Sequence, residues 1–78
     1  MTDDCHIKKH SIVIHGHATS ITLENIFWRV LKIIATEQKK SISQILMEID
    51  TNREGNLSSA VRIFVLRYLM IDNDNLKK

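Results

Sequence analysis

Hydrophobic positions along this chain recur first with the period of a strand and then with the period of a helix. Ser11 to Ile14 carries three consecutive β-branched residues, Ile12, Val13 and Ile14, and predicts a short strand. His15-Gly16-His17 breaks it. From Thr19 to Leu23 the alternation is clean, with Thr19, Ile21 and Leu23 on one side and Ser20 and Thr22 on the other, so a half-exposed strand is expected there.

The period then lengthens. Ile26, Phe27, Val30, Leu31, Ile33 and Ile34 fall on one broad helical face. Glu24 suits the start of this helix and Thr22 is placed to cap it, while Lys39 and Lys40 close it where cations are favoured. Ser41 and Ser43 signal a second start, and Ile45, Leu46 and Ile49 give that helix its apolar side. Residues 51–56 form a polar loop containing Gly55. A third helix follows, capped by Asn56 or Ser58, with Leu57, Ala60, Val61, Phe64, Val65, Tyr68 and Leu69 as its apolar face. The expected order is strand, strand, helix, helix, helix, in an α+β domain that is mainly α. Residues 11–71 make up the domain, residues 1–10 a flexible polar arm and residues 72–78 a polar tail.

A lone alternating strand leaves its backbone groups unsatisfied and is not stable by itself. Two solutions stay open on the pattern alone. Ser11 to Ile14 can pair with it as a hairpin, or the same strand of a second chain can pair with it about a two-fold axis. A chain of 78 residues buries little of its own surface, which leaves a good core or a partner chain as the remedy, and a hydrophobic content of 44% can supply either.

Composition narrows the means of stabilisation. With one cysteine, Cys5, an internal disulfide is excluded, and no Cys/His spacing matches a zinc finger. His15 and His17 lie two apart, but no nearby carboxylate or thiol completes a metal shell unless Cys5 or a second chain supplies one, so solvent-facing or turn histidines are expected and no cofactor. A free thiol, no leader pattern and no long apolar run predict a bacterial cytoplasmic protein without a membrane span. The net charge of +2, from 11 basic and 9 acidic residues, does not by itself announce a nucleic-acid binder. Nor is there a nucleophile–base pair or a glycine-rich phosphate loop, so an enzyme is not expected.

Three segments carry a resemblance. Thr19-Ser20-Ile21-Thr22-Leu23-Glu24, then Phe27-Trp28, then Lys40-Ser41-Ile42-Ser43 resemble the ribbon-helix-helix DNA-binding proteins. His15-Gly16-His17-Ala18-Thr19-Ser20 and Gly55-Asn56-Leu57-Ser58-Ser59-Ala60-Val61-Arg62 are similar to a largely uncharacterised bacterial branch with an extra N-terminal strand and a terminal helix. The likeness runs from about Ser11 to Tyr68. Two positions depart from it. Ala18 stands where that branch often has arginine, and Lys39 stands where the first helix commonly ends in glycine.

The resemblance implies an intertwined homodimer, or a higher homo-oligomer, whose paired strands enter the major groove of double-stranded DNA as an antiparallel ribbon. Ala18, Ser20 and Thr22 would then face the bases. Lys39, Lys40, Ser41, Ile42 and Ser43 would hold a phosphate, through charge and through the amides of a helix start. Ile21, Leu23, Phe27, Val30, Leu31, Ile34, Ile45, Leu46 and Ile49 would form the dimer core. The expected role is transcriptional regulation. The alternative is a protein-interaction module of the same fold, antitoxin-like, that docks a partner through its C-terminal helix without specific DNA binding.

Overall fold

The computed structural model describes residues 4–52 and 55–77, with side chains described as far as residue 71. Two strands, β1 (Ile7–Ile14) and β2 (His17–Glu24), precede three helices, α1 (Asn25–Gln38), α2 (Ile42–Asn52) and α3 (Leu57–Lys77). The strands pair antiparallel as a hairpin, in register from Ile7 opposite Glu24 to Ile14 opposite His17. His15 and Gly16 form the turn, with φ of 54° and 78°. Positive φ at both central residues is what a two-residue type I′ turn demands, and glycine supplies it without strain. His15 therefore lies in the turn, its Nε2 3.6 Å from an Asp50 carboxylate oxygen, and not beside His17 on a strand.

One face of the hairpin supplies Ile12, Ile14, Ile21 and Leu23 to the core. Leu31, Ile34 and Ala35 of α1, Ile45, Leu46 and Ile49 of α2, and Val61 and Val65 of α3 complete it. Phe27, Trp28, Val30 and Phe64 pack around these as half-buried residues. Not all of the helical faces expected to be apolar are covered. Ile33 on α1 is 51% exposed and Leu69 on α3 is 45% exposed, because α1 and α3 each turn only a narrow stripe toward this core.

The N-terminal segment differs from the expected flexible arm. β1 begins at Ile7, ahead of the boundary at residue 10, and the residues before it cap α1. The amide of Asn25 donates to the His6 carbonyl at 2.9 Å and that of Ile26 to the Asp4 carbonyl at 3.1 Å. Arg29 pairs with the Asp4 carboxylate. These contacts satisfy helix-start donors that the sequence pattern assigns to Thr22, and no side-chain cap is made at the Glu24 N-cap. Residues 1–3 of the expected arm lie outside the described residues.

The other helix ends follow their side chains. Lys39 sits in the left-handed region at φ 58°, its amide donating to the Thr36 carbonyl and the Lys40 amide to that of Ala35. This is the bond pattern of a glycine-type helix stop built on a lysine. Ser41 and Gln44 cap α2 reciprocally, the Ser41 amide donating to Gln44 Oε1 at 2.9 Å and the Gln44 amide to Ser41 Oγ at 3.0 Å. α2 runs through Asn52, shortening the polar loop; its residues 53 and 54 lie outside the described ones. Asn56 caps α3, accepting from the Ser59 amide at 2.8 Å. That helix continues to Lys77, through most of the expected tail, while residue 78 lies outside the described residues.

Candidate functional site

The hairpin has two faces and one open edge, and these organise the site. Strand alternation puts Ile7, Lys9, Ser11 and Val13 of β1 on the same face as Ala18, Ser20 and Thr22 of β2, away from the core. All seven are exposed. Directly opposite one another on this face lie Lys9 and Thr22, Ser11 and Ser20, and Val13 and Ala18.

The ladder also fixes where the backbone points. Residues flanking a two-residue turn form a hydrogen-bonded pair, so such pairs fall at Ile14–His17, Ile12–Thr19, His10–Ile21 and Lys8–Leu23. The amides and carbonyls of Ala18, Ser20 and Thr22 then point to the far edge of β2. One of them is used there: the Ser58 hydroxyl donates to the Thr22 carbonyl at 2.8 Å. Arg62 Nε is 2.8 Å from Glu24 Oε1, so α3 is fastened to the end of β2. The Arg62 hydrogen bond holds the Glu24 carboxyl below its ordinary value. From Ala18 to Ser20 the edge is open among the described residues.

On the core side of β1, the His10 ring stacks on Trp28 at 3.8 Å and an interplanar angle of 9°. The sequence pattern places His10 at the surface. Its Nε2 is instead buried with no hydrogen-bond partner among the described residues. Burial, followed by the charges of Lys8 and Lys32, pushes its pKa down.

The residues expected at a phosphate have separate local engagements. Lys40 Nζ lies 2.8 Å from Glu48 Oε2, an exposed pair, and Lys39 serves as the stop of α1. Ser41 is engaged in its capping box. Ile42 and Ser43 contribute amides without an acceptor among the described residues, and they border a shallow hollow with Lys9, Ser11, Ser20 and Trp28. The residues expected to form a dimer core already pack within one chain: Ile21, Leu23, Leu31, Ile34, Ile45, Leu46 and Ile49 are buried, and Phe27 and Val30 half-buried. Lys9 and Ser11 escape the hydrophobic pattern as site residues, because that pattern begins the first strand only at residue 11.

A hairpin leading into an α1–α2 helix pair through a strand with one open edge is matched by a family model. The model describes a ribbon-helix-helix domain and covers residues 7–69. The chain belongs to the ribbon-helix-helix family. Among solved structures, an uncharacterized protein from Bordetella pertussis Tohama I superposes with a TM-score of 0.79 at 26% identity, over 94% of this chain. This ribbon-helix-helix chain spans 63% of that protein's length. No curated protein matches it. Among the described residues no group of three metal-ligating side chains comes together, and no helix is long and apolar enough to cross a membrane.

Proposed function

We propose that the chain is a dimeric DNA-binding regulator that reads the major groove with β2. The observation that carries this reading is the combination of an open β2 edge with a small, polar, exposed face at Ala18, Ser20 and Thr22, in a ribbon-helix-helix chain. An open edge pairs readily with another strand, and a second copy supplies one about a two-fold axis. With the axis at Ser20, Ser20 pairs with its own copy and Ala18 with Thr22 of the partner subunit. The ladder ends near Thr22, whose carbonyl already accepts from Ser58. Serine and threonine hydroxyls donate or accept, and the Ala18 and Thr22 methyl groups suit thymine. The free amides of Ile42 and Ser43 then approach a phosphate at the groove rim.

A salt-dependent titration against the protein's own promoter and a random duplex tests this, on the parent protein and on Thr22→Ala. The parent should prefer the promoter. The variant should keep its affinity for random DNA and lose about tenfold or more in preference, one base contact being lost per subunit. Equal binding of both duplexes by the parent would remove the sequence-reading role.

A second reading is favoured by α3. Ile63, Leu66, Met70 and Ile71 are 51–63% exposed, an apolar stripe that the chain itself leaves uncovered. On that reading the helix docks a protein partner. Charged replacements of Leu66 and Met70 that abolish partner capture while sparing DNA binding would support it.

A further inference from the structure

The hairpin makes each subunit contribute two strands to the proposed DNA surface, and this changes what the groove can accept. Pairing through β2 gives a sheet of order β1-β2-β2-β1, with the β1 strands outermost. Neighbouring strands lie about 4.8 Å apart, so the two β1 axes are about 14 Å apart. The major groove is about 12 Å wide and admits two strands. With the β2 pair in the groove, the β1 strands ride above its phosphate rims.

Lys9 stands at that position. It is the one charged side chain on the outward face of β1, exposed and directly opposite Thr22. It makes no ion pair among the described residues, unlike Lys40, which is held by Glu48. Its neighbour Ser11 adds a hydroxyl, and both border the hollow that Ile42 and Ser43 also line. The one carboxylate on the outward face of the hairpin, that of Glu24, is engaged by Arg62 and does not compete.

We propose that Lys9 is a phosphate-contacting residue, one per subunit, that seats the β2 ribbon in the groove from its rim. This rests on the DNA-binding reading and extends it to a strand outside the ribbon. Lys9 fixes depth and orientation without reading bases, since phosphate contacts carry no sequence information. Lys8, one residue earlier and opposite Leu23, points to the other face and takes no part.

Lys9→Gln and Lys8→Gln remove the same charge from opposite faces of one strand and make the test. Both are titrated against a random duplex and the promoter duplex over a range of salt, with melting curves to confirm folding. Lys9→Gln should weaken binding to both duplexes alike. It should also reduce the slope of log affinity against log salt by about 2 per dimer, one phosphate contact and its displaced counterion being lost per subunit. Lys8→Gln should leave the slope within about half a unit of the parent's. Equal changes from both variants, or no change from Lys9→Gln while Thr22→Ala still lowers promoter preference, would overturn the role of Lys9 and leave the β2 reading intact. A parent protein that binds neither duplex would overturn both.

Discussion

The His10 imidazole is the residue whose surroundings most directly predict a solution property. Stacked on Trp28 with its Nε2 buried, it is more easily protonated in the unfolded chain than in the folded one. Its folded pKa lies below the ordinary 6.5, so its contribution to stability is complete above that value and is lost as pH falls through the lowered one. Glu24 behaves alike in a lower window: its carboxylate is held by Arg62, and that contribution disappears as pH falls below the ordinary 4.5 through the depressed value. Denaturant midpoints measured against pH should therefore fall in two separate steps. His10→Leu should erase the upper step and Glu24→Gln the lower one. An upper step of unchanged size in His10→Leu would assign it to another group.

At the scale of elements, the hairpin and the helix stops carry most of the local information. The end of α1 is the clearest case of cost accepted within a working geometry. Lys39 occupies a left-handed conformation that disfavours side chains by roughly 1–2 kcal/mol. Lys39→Gly removes that strain but adds backbone freedom to the unfolded chain, which costs roughly 0.5–1 kcal/mol. A net gain of about 0.5–1 kcal/mol in unfolding free energy is expected, with the bonds to Ala35 and Thr36 retained. Urea titration measures it. Destabilisation would mean that the lysine side chain holds something the backbone pattern does not account for. Tying of α3 by Ser58 and Arg62 to the last residues of β2 has a related consequence: the third helix supports the ribbon directly.

For the whole molecule, the open edge of β2 and the exposed apolar residues of α1 and α3 make association the expected outcome. If folding is coupled to pairing through β2, the melting midpoint should rise with protein concentration, because mass action favours the bound state. Ile21 is 2% exposed, so Ile21→Ala should destabilise each chain by roughly 2–5 kcal/mol and lower the midpoint at every concentration. A midpoint independent of concentration, with a monomeric mass in solution, would rule out coupled dimerisation.

The chain's own pattern determined the order of elements and the facing of β2. Alternation of Ile21 and Leu23 with Ser20 and Thr22 allows one buried face, because strand side chains have a period of two and a slip of one residue would bury two hydroxyls. Ser41 as the start of α2, and Asn56 as one of two candidate starts of α3, were readable because a helix cap lies within four residues of its partner. Whether β2 pairs first with β1 or with another chain was not readable from hydrophobicity, since Ile7 to Ser11 alternates too weakly to mark a strand. The His15-Gly16 turn held the missing information: a two-residue turn sets the register, and counting back from it places Lys9 opposite Thr22. Only the tertiary structure decided the rest. The caps from Asp4 and His6, the Arg62–Glu24 pair and the stacking of His10 on Trp28 join residues far apart in sequence. Local spacing has no signal for such contacts, because they form only when packing brings separate segments together.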